Sequence, residues 1–299
     1  MQDLRILPKL KDSLSYLFVE HAVIEQKDAA IEYINAEGRV MVPVSQLCLL
    51  ILGPGTSITH AAIKTLAENG CTVLWTGEDC VRFYAHGGGE TRKGYHLIHQ
   101  AKMVTDPDLH MQVVLRMYKY RFKQTLDPNL TLPQIRGMEG VRVRNAYSKA
   151  SRAFNVKWDG RIYDRQNWLS SDPINRALSA ANSLLNGLCH SAIVSGGYSP
   201  GLGFVHSGKQ LSFVYDIADL YKVEYTIPLA FSTVGTAIAN VEKRVREACR
   251  EKFREDKLLD RILVDVDQLL DVPHHFEGEF SADTDMAIPE PLWDETEEI

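Results

Sequence analysis

The spacing of apolar residues changes character once along this chain, and that change limits the fold. Up to about residue 87 apolar residues come in short runs of strand length: "AAIEYI", "VMVPV", "LCLLILG", "CTVLWTG" and "VRFYAHG". "NAEGR" between the first two reads as a hairpin turn. Thr56 or Ser57 is placed to cap one short helix, "ITHAAIKTLAENG", ending at Asn69-Gly70. From about residue 96 apolar residues recur every three to four positions. The pattern runs through "PDLHMQVVLRMYKYRFKQTL", "TLPQIRGMEGVRVRNAYSKASRAFN", "PINRALSAANSLLNGLCHSAIVSGG", "LSFVYDIADLYK", "IPLAFSTVGTAIANVEKRVREACREKFRE" and "DKLLDRILVDVDQLL". Ser171-Asp172-Pro173 reads as a helix start. Between the two regimes lies "HGGGETRKGY", whose glycines lack phosphate-loop spacing and read as a hinge. The division is therefore a β-rich domain over 1–88, a Gly-rich linker at 89–95, a helical domain over 96–272 and an acidic tail over 273–299.

Composition narrows the class. With 299 residues, 45% of them hydrophobic, the chain can bury a sizeable core. The N-terminus carries charges throughout, unlike a signal peptide, and no apolar run approaches membrane-span length. The five cysteines are scattered without a CxxC pair, as expected of small buried hydrophobes in a reducing cytoplasm. The net charge of −6 conceals an uneven distribution. Residues 273–299 hold nine acids and no Lys or Arg; the remainder carries 33 basic against 30 acidic residues. Residues 111–165 hold twelve basic residues against four acidic. A basic centre of this kind suits nucleic acid, although a solvated helix face accounts for "RMYKYRFK" equally well.

Two features bear on chemistry. Asp216 and Asp219 lie three residues apart, on one face of an apolar helix, with His206 just upstream. Buried carboxylates need cations or hydrogen bonds, so a divalent metal or a basic partner is implied. Each residue alone has an ordinary structural explanation: an arginine partner for Asp216, a satisfied core position for His206. The second feature is "QIRGMEGVRVR", where Glu139 sits among Arg136, Arg142 and Arg144 with Gly137 and Gly140 beside it. Helical glycine costs about 1 kcal/mol relative to alanine. Two of them suggest close approach of another backbone or a ligand; a surface glutamate paired to its arginines is the alternative. Together, carboxylates and an imidazole can hold Mg²⁺ or Mn²⁺, and the arginines can bind phosphate oxygens. That combination suits phosphodiester chemistry.

"RGMEGVRVR", "GFVHSGKQLSFVYDIAD" and "GPGTSITHAA" closely resemble the universal CRISPR-associated integrase, the larger core protein of spacer acquisition, and most nearly the subtype accompanying the Cascade-type system. The resemblance runs from about residue 9 to 272. It implies an α+β fold: a small N-terminal β-sandwich-like domain joined by a linker to a larger all-helical C-terminal domain. It implies metal ligands at Glu139, His206 and Asp219, with Asp216 an additional acid contacting metal or substrate. It places Arg82 near the DNA path, and Tyr163, Lys209 and Tyr215 around the bases beside the protospacer. His21 stands where an aromatic residue stacks on the duplex end. Ser57 replaces a basic residue, with Lys64 supplying charge nearby. "DMAIPEP", with Thr284 as its polar residue, resembles a tail segment that covers the base pocket and reaches a small ferredoxin-like CRISPR-associated partner. The activity implied is attack by a 3′-hydroxyl of captured DNA on a repeat phosphodiester, performed by homodimers. Two rivals remain: a catalytically degenerate DNA-binding scaffold, and a metal phosphohydrolase acting on small esters.

Overall fold

The computed structural model describes residues 15–28, 30–77, 83–88, 94–124, 126–127, 130–161 and 172–272. The amino-terminal part is two four-stranded sheets. In the first, β1 (Ser15–Val19), β5 (Leu47–Leu52) and β7 (Thr72–Thr76) run parallel, and β8 (Phe83–Gly87) closes the edge antiparallel to β7. In the second, β2 (Val23–Lys27), β3 (Ala30–Asn35) and β4 (Gly38–Pro43) form an antiparallel meander, with β6 (Ser57–Ile58) parallel to β2. The hairpin expected at "NAEGR" is the β3–β4 turn, where Asn35 pairs with Gly38.

The continuous apolar character of β5 has a specific cause. Alternate side chains point to opposite faces of a strand, and both faces here are buried. Leu50 and Leu52 join Ile24, Ile31, Ala62 and Leu66 between the sheets and helix α1 (His60–Glu68). Leu49 and Ile51 face the other way and join the core of the helical part. Helix α5 meets these strands at Gly187, where a β-carbon would sit in ordinary van der Waals contact, 3.4–3.6 Å, with Leu74, Ile51 and Leu49.

The helical part comprises α2 (Gly94–Thr105), α3 (Pro107–Phe122), α4 (Leu132–Phe154), α5 (Pro173–Ser195), α6 (Ser212–Tyr221), α7 (Thr226–Thr236), α8 (Val241–Glu255) and α9 (Leu258–Leu270). α5 is almost wholly buried and packs against α6, α7, α8 and α9. Its start agrees with the sequence signal, since Asp172 caps it by accepting the Asn175 N–H. The strand-rich amino-terminal region followed by a helical region is the α+β arrangement expected.

Local expectations need correction in three places. The cap of α1 is Thr59, which accepts from Ala62 N, because Ser57 is committed to β6. The long "IPLAFSTVGTAIANVEKRVREACREKFRE" segment is two helices, interrupted where Asn240 takes a left-handed φ of 51°. Gly94 and Tyr95, read as linker, open α2. Arg82, Tyr163, residues 89–93 and the tail with Thr284 lie outside the described residues. Cys71, Cys189 and Cys249 are buried. No helix among the described residues is long and apolar enough to cross a membrane.

Candidate active site

The His206 loop, residues 201–211, enters α6 from above a buried carboxylate. Asp216, 0% exposed, has both oxygens saturated. Oδ2 accepts from Phe204 N at 2.6 Å and Val205 N at 3.0 Å. Oδ1 accepts from His206 N at 2.9 Å and pairs with His206 Nδ1 at 2.7 Å. A carboxylate can only accept, so Nδ1 carries a hydrogen, which in the neutral imidazole leaves the lone pair on Nε2. With its oxygens engaged in this way, Asp216 supports the site through the loop and the imidazole. It shapes the loop and orients the imidazole, whose side chain is 43% exposed.

Gly203 completes this local packing. A β-carbon there would lie 2.4 Å from His206 O and 2.8 Å from the Ser212 carbonyl carbon, and both contacts are with backbone. Gly203→Ala is expected to displace the loop at a cost of about 1–3 kcal/mol. Urea unfolding and a nicking assay check this together; unchanged stability and activity would contradict the tight fit.

Glu139 arrives from α4 and Asp219 from α6, and one guanidinium joins them. Arg121, on α3, is 3% exposed. Its Nη1 lies 3.7 Å from Glu139 Oε1 and its Nη2 3.8 Å from Asp219 Oδ2. Nη2 also donates to the Asp216 carbonyl at 3.3 Å, whereas buried Nε has no hydrogen-bond partner. Each carboxylate has a second cation. Arg142 grips Glu139 with Nε at 2.8 Å and Nη2 at 3.0 Å; Lys222 Nζ lies 2.5 Å from Asp219 Oδ1. Burial alone would raise the Asp219 pKa, but Lys222 and then Arg121, with His206 adding to them, hold it below the ordinary carboxylate range. Asp219 is thus ionised at neutral pH.

Two linked pairs result: Glu139 and Asp219 joined through Arg121, with Arg142 and Lys222 on their outer sides, and His206 bonded to Asp216 one turn before Asp219 on α6. Tyr215 joins the edge of the group, its ring 6.1 Å from that of His206. Lys209 is exposed at the start of α6. Arg136 and Arg144 are exposed on α4, but Arg142 is engaged by Glu139. Lys64 is exposed on α1 beside Glu68, and His21 is exposed with a left-handed φ of 50°. Neither belongs to the Glu139–Asp219 group. A β-carbon at Gly137 or Gly140 would meet nothing within 4 Å, so no backbone approaches there among the described residues. Arg121 was not singled out from sequence. Its signal was its spacing from Val114, Met117 and Tyr118, which places it on the buried stripe of α3.

The residue types suit a divalent ion. An imidazole with Nδ1 fixed by a buried carboxylate and Nε2 free, beside two ionisable carboxylates, is an oriented donor set. As the side chains stand, no three His, Cys, Asp or Glu among the described residues are grouped to hold an ion. Arg142 and Lys222 occupy the carboxylates instead, and both are long side chains able to move aside.

A family model described as CRISPR associated protein Cas1 matches residues 120–250, which span α4, the His206 loop and α6. CRISPR-associated endonuclease Cas1 2 of Thermus thermophilus is 53% identical over 296 residues, covering 98% of this chain and 90% of that protein. The chain belongs to the Cas1 family. CRISPR-associated endonuclease Cas1 of Escherichia coli K12 is 38% identical, with 87% of this chain and 86% of that protein covered. Among solved structures, the crystal structure of TtCas1 superposes with a TM-score of 0.80 at 52% identity, covering 88% of this chain and all of that one. This Cas1-family chain thus places a His–carboxylate pair and two further acids in a cationic pocket on the helical side of the fold.

Proposed function

We propose that this chain is a metal-dependent DNA endonuclease and integrase that inserts captured DNA fragments into a CRISPR array. The observation that carries the reading is the pairing of acids with fixed partners: Asp216 holds His206 by Nδ1, His206 acts electrostatically on Asp219, and Asp219 and Glu139 share Arg121. Relatives named as CRISPR-associated endonucleases support it, as does a structure titled as a TtCas1–DNA complex, 55% identical with a TM-score of 0.66 over 89% of this chain and all of that one.

Glu139, His206 and Asp219 would hold Mg²⁺ or Mn²⁺. Such an ion polarises the phosphoryl group and stabilises the oxygens entering and leaving in line. The chain's own residues supply the rest. Asp216 keeps the imidazole in one tautomer. Arg121 keeps the two carboxylates near each other. Arg136, Arg144 and Lys209 offer exposed charge to phosphates, and Tyr215 a ring face to a base. In the joining step a 3′-oxygen of the fragment bonds to a repeat phosphorus. The bond from that phosphorus to its former 3′-oxygen breaks, and the proton lost by the attacking hydroxyl is balanced by one gained at the leaving oxygen. One phosphodiester replaces another, so no external energy source is needed; water in place of the hydroxyl gives cleavage. Homodimers acting with a small ferredoxin-like partner are the assembly this reading adopts.

The test is a divalent-ion titration of the full chain with branched DNA. Cleavage and strand joining should appear with Mg²⁺ or Mn²⁺ and vanish with chelator. Tight binding of branched DNA without any ion-dependent product would leave a DNA-binding scaffold instead.

A further inference from the structure

A cleft of about 440 Å³ lies between α3 and α9, outside the Glu139–His206–Asp219 group. Arg116, Lys119 and Lys123 of α3 line it together with Gln124 and, from α9, Gln268. Its one carboxylate, Asp265, is already committed: Oδ2 accepts from the Tyr120 and Tyr221 hydroxyls, each at 2.6 Å, and lies 3.5 Å from Arg261 Nε. The cations are less fully used. Arg116 donates Nε to Leu269 O at 2.7 Å and Nη1 lies 3.8 Å from Asp271, but buried Nη2 has no partner among the described residues. Lys123 shares Glu224 with Arg261. Lys119 is exposed and meets no carboxylate among the described residues.

Basic residues in a last helical turn often just complement the helix dipole. Here that accounts for only part of the charge. Asp271 and Glu224 answer Arg116 and Lys123, and the two helix C-termini contribute roughly −0.5 each, so the cation left over is Lys119. Its exposed ammonium, with the Arg116 N–H that has no partner among the described residues, calls for an anionic oxygen. The volume is in the range of a small-ligand pocket and has room for a nucleotide unit rather than an inorganic anion alone. Glutamine amides on both walls can donate or accept to sugar or base without demanding one sequence. The position fits as well. Residues two apart on a helix point to nearly opposite sides, so Arg121 reaches Glu139 and Asp219 while Lys119 faces the cleft; Lys123, the left-handed C-cap of α3, closes its end. The separation is about one helix diameter, ~10 Å, a span of a few nucleotides.

We propose that this cleft seats a backbone phosphate of a DNA strand passing over the flank of α3 from the catalytic centre. This rests on the DNA-processing reading above, but the test does not depend on catalysis. Binding of branched DNA is measured in chelator across a salt series. Lys119→Ala should make the dependence of log affinity on log salt shallower by about 0.7–0.9, the loss of one phosphate contact. Lys119→Arg should retain the slope, and Lys119→Glu should bind more weakly still. Lys119→Cys should also form a disulfide with thiol-tethered phosphates a few nucleotides from the joining point, well above wild-type background. Wild-type affinity and slope in Lys119→Glu would overturn the assignment, as would cross-linking no greater than wild type. Failure to cleave, with these binding results intact, would count against the catalytic reading alone.

Discussion

Replacing Glu139, His206 or Asp219 singly with alanine is expected to reduce DNA cleavage and joining by about 10²–10³-fold or more, the scale of removing one preorganised electrostatic group. The three variants should fail for one chemical reason but differ in stability. His206 is half-exposed, and its loss leaves the backbone bonds to Asp216 intact. Glu139→Ala frees Arg142, which can turn to solvent, and leaves Arg121 with Asp219. Asp219→Ala leaves Lys222 free and Arg121 with Glu139. Each acidic variant therefore keeps a partner for the buried guanidinium, and the expected cost is about 1–3 kcal/mol. Both acidic variants also make the pocket more positive, so DNA affinity should hold or rise while turnover collapses. Turnover near wild type in any of the three, with ions supplied, would remove that residue from the assignment.

Asp216→Asn is expected to have the largest combined effect on fold and activity. It is nearly isosteric, yet it exchanges an acceptor-only group for one bearing an NH₂. Asp216 meets three backbone N–H groups and an imidazole N–H. Either orientation of the amide sets donors against donors in a position that is 0% exposed. Breaking a buried charged hydrogen-bond set costs about 3–5 kcal/mol. The imidazole also loses the partner that fixes its tautomer, and divalent-ion affinity should fall about 10–100-fold. Thermal unfolding and Mn²⁺ titration separate the two effects. A structural role alone would lower the melting temperature and leave the ion affinity and pH profile of surviving protein unchanged.

The broad division of the fold is written in the spacing of apolar residues, because strand and helix periods differ enough to survive without an alignment. Hairpin chemistry at Asn35–Gly38 and the cap at Asp172 are equally local and equally legible. The break at Asn240 was not, since the apolar pattern continues across it and only a backbone angle ends α7 and begins α8. The site divides in the same way. Asp216, Asp219 and His206 stood out because acids in an apolar helix demand an explanation. Which of them faces outward depends on the path of residues 203–206, a matter of tertiary packing. Arg121 is harder to see for the opposite reason: one arginine among several in a basic stretch, it is marked only by its helical spacing from Val114, Met117 and Tyr118. Its role emerges only when α3, α4 and α6 are placed together.

The six residues of β5 have a further consequence. Leu50 and Leu52 belong to one apolar interior and Leu49 and Ile51 to another, so a single short strand is the party wall of both. Cutting the chain between sheet and helices would strip α5 of its covering and present leucine and isoleucine side chains to water. Any truncation of this protein should therefore keep sheets and helices together, treating the sheets as foundation rather than appendage.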